Sequence, residues 1–132
     1  MADAQPSFSG FRRFPIRFDR WFAVLSKALL LPPSRSYVDV GNGEIVARMG
    51  WAFDARFPRS DVVGARPLGR RVISRGVHGF FGRWLVNGSG DGIVSIEIAP
   101  PRRARVLLFP VAVKRLLVSV DDPAAFIAAM RG

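Results

Sequence analysis

The single histidine of the chain, His78, stands in SRGVHGFFGRWLVNGSG, residues 74–90. An imidazole is the simplest general acid or base available near neutral pH. To catalyse, it needs a carboxylate to orient it or a nucleophile to serve. Residues 62–90 contain no Asp or Glu. Ser74 and Ser89 are the nearby hydroxyls, and neither stands in a nucleophile-elbow pattern. The chain has no cysteine, which excludes disulfides, thiolate metal sites and a thiol nucleophile. With one histidine and no cysteine, zinc lacks a ligand set. Asp91 and the pair Asp121-Asp122 do not have calcium-loop spacing. The reading is a non-enzyme with no catalytic residue, no metal and no cofactor.

The same run carries Gly76, Gly79 and Gly82 at every third position. A dinucleotide cradle needs G-x-G-x-x-G between a strand and a helix, and a Walker loop needs Gly-Lys-Ser/Thr. Here the pattern is G-x-x-G-x-x-G and leads into RWLV, a strand-like segment. The glycines are therefore read as a turn or bulge where a side chain would clash.

Charge is the stronger signal. Net charge is +10, and all but Lys27 and Lys114 of the 20 basic residues are arginine. Such a balance favours anionic partners. Three groups stand out: Arg12, Arg13, Arg17 and Arg20; Arg66, Arg70, Arg71, Arg75 and Arg83; Arg102, Arg103, Arg105, Lys114 and Arg115. The middle group lies in the acid-free stretch beside Phe80, Phe81 and Trp84. An aromatic among arginines can enter a membrane interface or stack on bases. The expected binding site is therefore Arg66, Arg70, Arg71, Arg75, His78, Phe80, Phe81 and Arg83.

These residues need a scaffold. A chain of 132 residues predicts one domain. Residues 1–10 have no apolar period and are expected to be a disordered tail before a single globular β domain over 11–132. No signal peptide and no stretch of ~20 apolar residues is visible, which predicts a cytoplasmic protein, soluble or peripheral to a membrane. FPIRF reads as an edge strand, because Pro15 cannot donate to a ladder. Asp19 is placed to cap a helix over RWFAVLSKALLL, ended by Pro32-Pro33. Trp21, Val24, Leu25 and Ala28 have the spacing of its buried face.

Beyond it the period changes to two. YVDV and EIVARMG flank Gly41-Asn42-Gly43, residues that tolerate positive φ in a hairpin turn. Trp51, Phe53, Ala55 and Phe57 alternate as a half-buried strand, and DVVGARPL follows as another. RWLV, IVSIEIA, RVLLFPVAV and RLLVSV read as further strands, with NGSGDG a loop. Asp121-Asp122-Pro123 opens a terminal helix with Phe126, Ile127 and Met130 on its apolar face. Seven or eight strands joined by tight turns predict a mainly β (α+β) fold. It is a bent antiparallel sheet or partly open barrel, with a short N-terminal helix and a capping C-terminal helix.

The ending RLLVSVDDPAAFIAAM, and the front segment SYVDVGNGEIVARMGWAFDARFPRSDV, resemble small actinobacterial proteins related to the bacterial pleckstrin-homology-like family. The resemblance spans about residues 14–131. It implies a seven-stranded barrel closed by a helix that follows the final strand. It also implies a module that binds phosphoinositides, peptides or protein partners. The first hairpin, Gly41-Asn42-Gly43-Glu44, lacks the basic pair expected of a phosphoinositide site. Together these readings predict a binding or adaptor module whose basic face meets an anionic membrane surface or an acidic protein patch. Nucleic acid is the second reading, since no basic recognition helix or RNA-binding aromatic motif is present. A small-ligand barrel or enzyme is the third.

Overall fold

The computed structural model describes residues 11–29, 33–69, 72, 75–80 and 82–131, with positions 33 and 80 described by backbone alone. The expected tail over 1–10 lies outside the described residues. Among the described residues nine strands form one sheet: β1 (Phe11–Pro15), β2 (Ser36–Gly41), β3 (Glu44–Met49), β4 (Phe53–Pro58), β5 (Val62–Pro67), β6 (Gly76–Phe80), β7 (Arg83–Asn87), β8 (Ile93–Val106) and β9 (Phe109–Ser119). Two helices are added, α1 (Arg20–Ala28) and α2 (Pro123–Arg131). The order across the sheet is β1-β2-β3-β4-β8-β9-β7-β6, with β5 also pairing β8. The fold is mainly β with an open, bent sheet.

The bend lies in β8. Its first half pairs with β5 and its second half with β4, and its register on β9 shifts between Glu97 and Arg102. Pro100 and Pro101 fall in that gap, where no ladder donor is needed. The segment after β1 meets those after β9 and β7 through single bridges, Ile16 to Val120 and Phe18 to Gly88. Alternation then sorts the side chains. Val38, Val40, Ile45, Ala47, Met49, Phe53, Ala55, Phe57 and Ala104 face the core.

The sequence reading is corrected at four points. One pairing, β7 with β9, is parallel, because β7 reaches β9 from the far side and not through a hairpin. The glycine run is a turn only in part: Gly76 and Gly79 lie in a strand, β6, paired with β7, and Gly82, with φ 80°, stands in the turn between the two. Gly79 is required in β6: a Cβ at this position would fall 2.0 Å from the Arg83 carbonyl oxygen. RVLLFPVAV is not one strand but a hairpin that turns at Leu107-Leu108. Finally, α1 buries Phe22 and Ser26, whereas Trp21, Val24, Leu25 and Ala28 are exposed. Phe22 stacks on Phe18 at 5.9 Å, and this single contact row sets which side faces inward.

The C-terminal helix is as expected. Asp122 Oδ1 accepts from the Ala125 amide at 3.1 Å, which makes Asp122 the N-cap, with Pro123 at the first helical position. Phe126 is buried and meets the Phe14 ring edge-on at 5.1 Å. Asp121 instead faces Arg17 at 3.6 Å on the surface. Asp122→Ala should therefore cost about 1 kcal/mol in urea unfolding. Asp121→Ala should cost far less, because an exposed ion pair contributes little. Equal costs would remove the cap assignment. Among the described residues no helix is long and apolar enough to cross a membrane.

Candidate functional site

Of the residues expected to bind an anion, the side chains of Arg66, Arg75, His78 and Arg83 are described. Arg66 is exposed on β5, 3.9 Å from Glu97. Arg83 is exposed on β7 and shares a shallow groove with Lys114 and Arg115. His78 is exposed on β6, with Nε2 against the Arg75 carbonyl. Arg70, Arg71, Phe81 and the side chain of Phe80 lie outside the described residues.

Arg75 has a different task. Its side chain is 9 % exposed, and Nε and Nη2 both donate to Asp19 Oδ2, at 2.7 and 2.6 Å. Asp19 Oδ1 accepts from Ser89 Oγ at 2.8 Å. The guanidinium also faces the Trp21 ring at 5.6 Å. Asp19 stands at the helix N-cap position, but its carboxylate makes no cap bond to α1. It is used to tie the segment leading into β6 and the 88–92 loop to the helix. Arg102 is likewise engaged, by the buried Asp61.

A basic face does form elsewhere. On the outer side of the sheet, register places Tyr37, Arg48, Asp54, Arg105 and Pro110 in one row from β2 to β9. Arg56 and Arg103 follow on β4 and β8. At the β1 end, Arg13 forks onto Asp39 at 2.8 and 2.9 Å and lies 3.7 Å from the Tyr37 ring centre. Those hydrogen bonds, with the Asp39 charge behind them, raise the Arg13 guanidinium above its ordinary pKa. Arg56 faces Glu44 at 3.7 Å, and Asp54 is held by Arg48 at 3.2 Å. Among the described residues Arg103 and Arg105 have no carboxylate partner. An open concavity is lined by Asp54, Arg56, Arg103, Arg105, Leu108 and Pro110. Two of the three basic groups thus send members to one face, Arg13 at one end and Arg103 and Arg105 at the other.

The sequence reading missed Arg56 and the turn beside this concavity. Alternation within WAFDARFP and the pairing of β4 with β8 place Arg56 there, and only the alternation was visible in the sequence. The turn had no Gly, Asn or Asp to announce it. A scan against protein-family models, a search of curated proteins and a search of solved structures each found no match. Among the described residues no three His, Asp or Glu side chains converge as a metal site would require.

Proposed function

We propose that this chain is a non-enzymatic binding module whose basic outer face docks on an anionic surface, a lipid membrane before an acidic protein patch. The observation that carries the reading is the pair Arg103 and Arg105. Both are exposed beside Arg56 and lack a carboxylate partner among the described residues. An arginine without a protein anion keeps its fork of donors for a phosphate or carboxylate from outside. A cytoplasmic protein held peripherally at a membrane fits this reading. So does a pleckstrin-homology-like ancestry, supported by the bent open sheet and the helix that follows the last strand, though this sheet has nine strands rather than seven. Nucleic acid is less favoured, because the exposed side of α1 carries Trp21, Val24 and Leu25 rather than a basic row.

The test compares two charge reversals of equal size. Arg103→Glu with Arg105→Glu should weaken binding to phosphatidylserine-containing vesicles about 10-fold or more, since each basic residue at an anionic membrane is worth ~1 kcal/mol. Arg66→Glu with Arg83→Glu should lose much less. Equal losses would mean that only bulk charge is at work, and the outer face would have no special role.

A further inference from the structure

The strand β9 runs past β7, while β8 stays paired with β4 as far as Val106. Residues 109–113 of β9 pair with β8 on one side, while β7 meets β9 only at 115–118. At the far end Val106 pairs with Phe109, which leaves Leu107 and Leu108 as a two-residue turn. Both have positive φ, 51° and 72°, as a type I′ turn requires. That conformation favours Gly, Asn and Asp, and a leucine in it is strained. The Asn42-Gly43 turn, by contrast, has no positive φ. The chain thus has turn-forming residues where they are not needed, and leucines where glycine would serve better. Stability of the hairpin does not account for Leu107 and Leu108.

Nor does the core. Leu107, Leu108 and Phe109 are 49, 72 and 71 % exposed, three consecutive apolar side chains at the hairpin tip, where the Leu107 amide donates to the Ala52 carbonyl at 2.9 Å. Their neighbours along the arm are Arg103 and Arg105, and Leu108 itself lines the arginine concavity. An apolar tip above a cationic collar matches one environment in particular. A bilayer interface offers hydrocarbon below a layer of phosphates. Two of the three tip side chains are leucines, which lack the aromatic face that stacks on nucleic-acid bases.

We propose that the Leu107–Phe109 tip inserts into the interface of an anionic bilayer while Arg103 and Arg105 engage the lipid phosphates. This rests on the anionic-surface reading and names the membrane as its partner. The arginines bring the tip to the surface and their alkyl stems follow it inward. The leucines then convert a salt-sensitive encounter into one with an apolar contribution that salt does not screen.

The variant Leu107→Asn with Leu108→Gly tests this without unfolding the hairpin. It keeps every charge and gives the turn the residues its φ values favour. Its melting temperature should equal or exceed that of the wild type. Its binding to vesicles of phosphatidylcholine with a minority of phosphatidylserine should fall about 10-fold or more, because binding scales with the apolar area inserted. Val24→Gln, which removes exposed apolar surface from α1 instead, should leave binding unchanged. Because the chain has no cysteine, Leu108→Cys carries a single environment-sensitive dye, whose emission should shift blue on these vesicles and not with a soluble polyanion. Wild-type and Asn-Gly proteins that bind equally would overturn insertion and leave the electrostatic reading standing. A wild type that does not bind the vesicles even at low salt would overturn both. Self-association of the wild type that the Asn-Gly variant lacks, with no dye shift on vesicles, would assign the tip to a second copy of the chain and overturn insertion.

Discussion

Phe126→Ala is expected to melt far below the wild type, with a loss of about 3–5 kcal/mol. The ring is fully buried and touches Phe14 of β1 edge-on, while α2 packs over β5 and β8. One side chain therefore joins the C-terminal helix to the edge strand β1, while the helix around it lies on β5 and β8. Removing it leaves a void that the surrounding strands cannot fill, because they are held by ladder bonds on either side. Two further links cross the same junction. Arg59 donates to the Ala129 carbonyl, and Arg131 donates to the Ala65 carbonyl at 3.2 Å. Thermal and urea unfolding measure the loss. A change below about 1 kcal/mol would show that α2 is an accessory and not the closure of the sheet.

Asp19→Ala should be the second large effect, about 2–4 kcal/mol. The Arg75 guanidinium is nearly enclosed and would lose two charge-assisted bonds, and Ser89 would lose its acceptor. The lower part of that range applies because the Asp19 side chain is 21 % exposed, so water compensates in part. The double variant Asp19→Ala with Arg75→Met removes the stranded charge. It should be clearly more stable than the sum of the single losses predicts. Strict additivity would mean that the pair contributes nothing as a pair. The expectation differs from that for Arg103 and Arg105, whose reversal should change binding and leave stability nearly unchanged.

Much of the framework follows from local patterning. The two-residue alternation in YVDV, EIVARMG and WAFDARFP places Val38, Ala47 and Phe53 inward without reference to any partner. Asp122 and Pro123 start α2 because an aspartate and a proline satisfy a helix start locally. The spacing of Gly76, Gly79 and Gly82 marked a place where a side chain would clash, and Gly79 meets that description. Pro15 on the edge strand β1 and Pro110 on the one-sided arm of β9 sit where a missing donor costs nothing.

Three matters were decided only by the tertiary structure. Periodicity grouped Trp21, Val24 and Leu25 on one side of α1, but a period cannot say which side meets the sheet. The Phe18–Phe22 stack chose the opposite side. The absence of acids from residues 62–90 made the middle arginines look available. Yet Asp19, some fifty residues earlier in the chain, neutralises Arg75, since an ion pair depends on distance in space and not in sequence. The tip at Leu107-Leu108 was hidden because turn chemistry is read from Gly, Asn and Asp, and none is there. The pairing of Val106 with Phe109 imposes the turn on two leucines, and the long β8–β9 ladder on either side holds them in it.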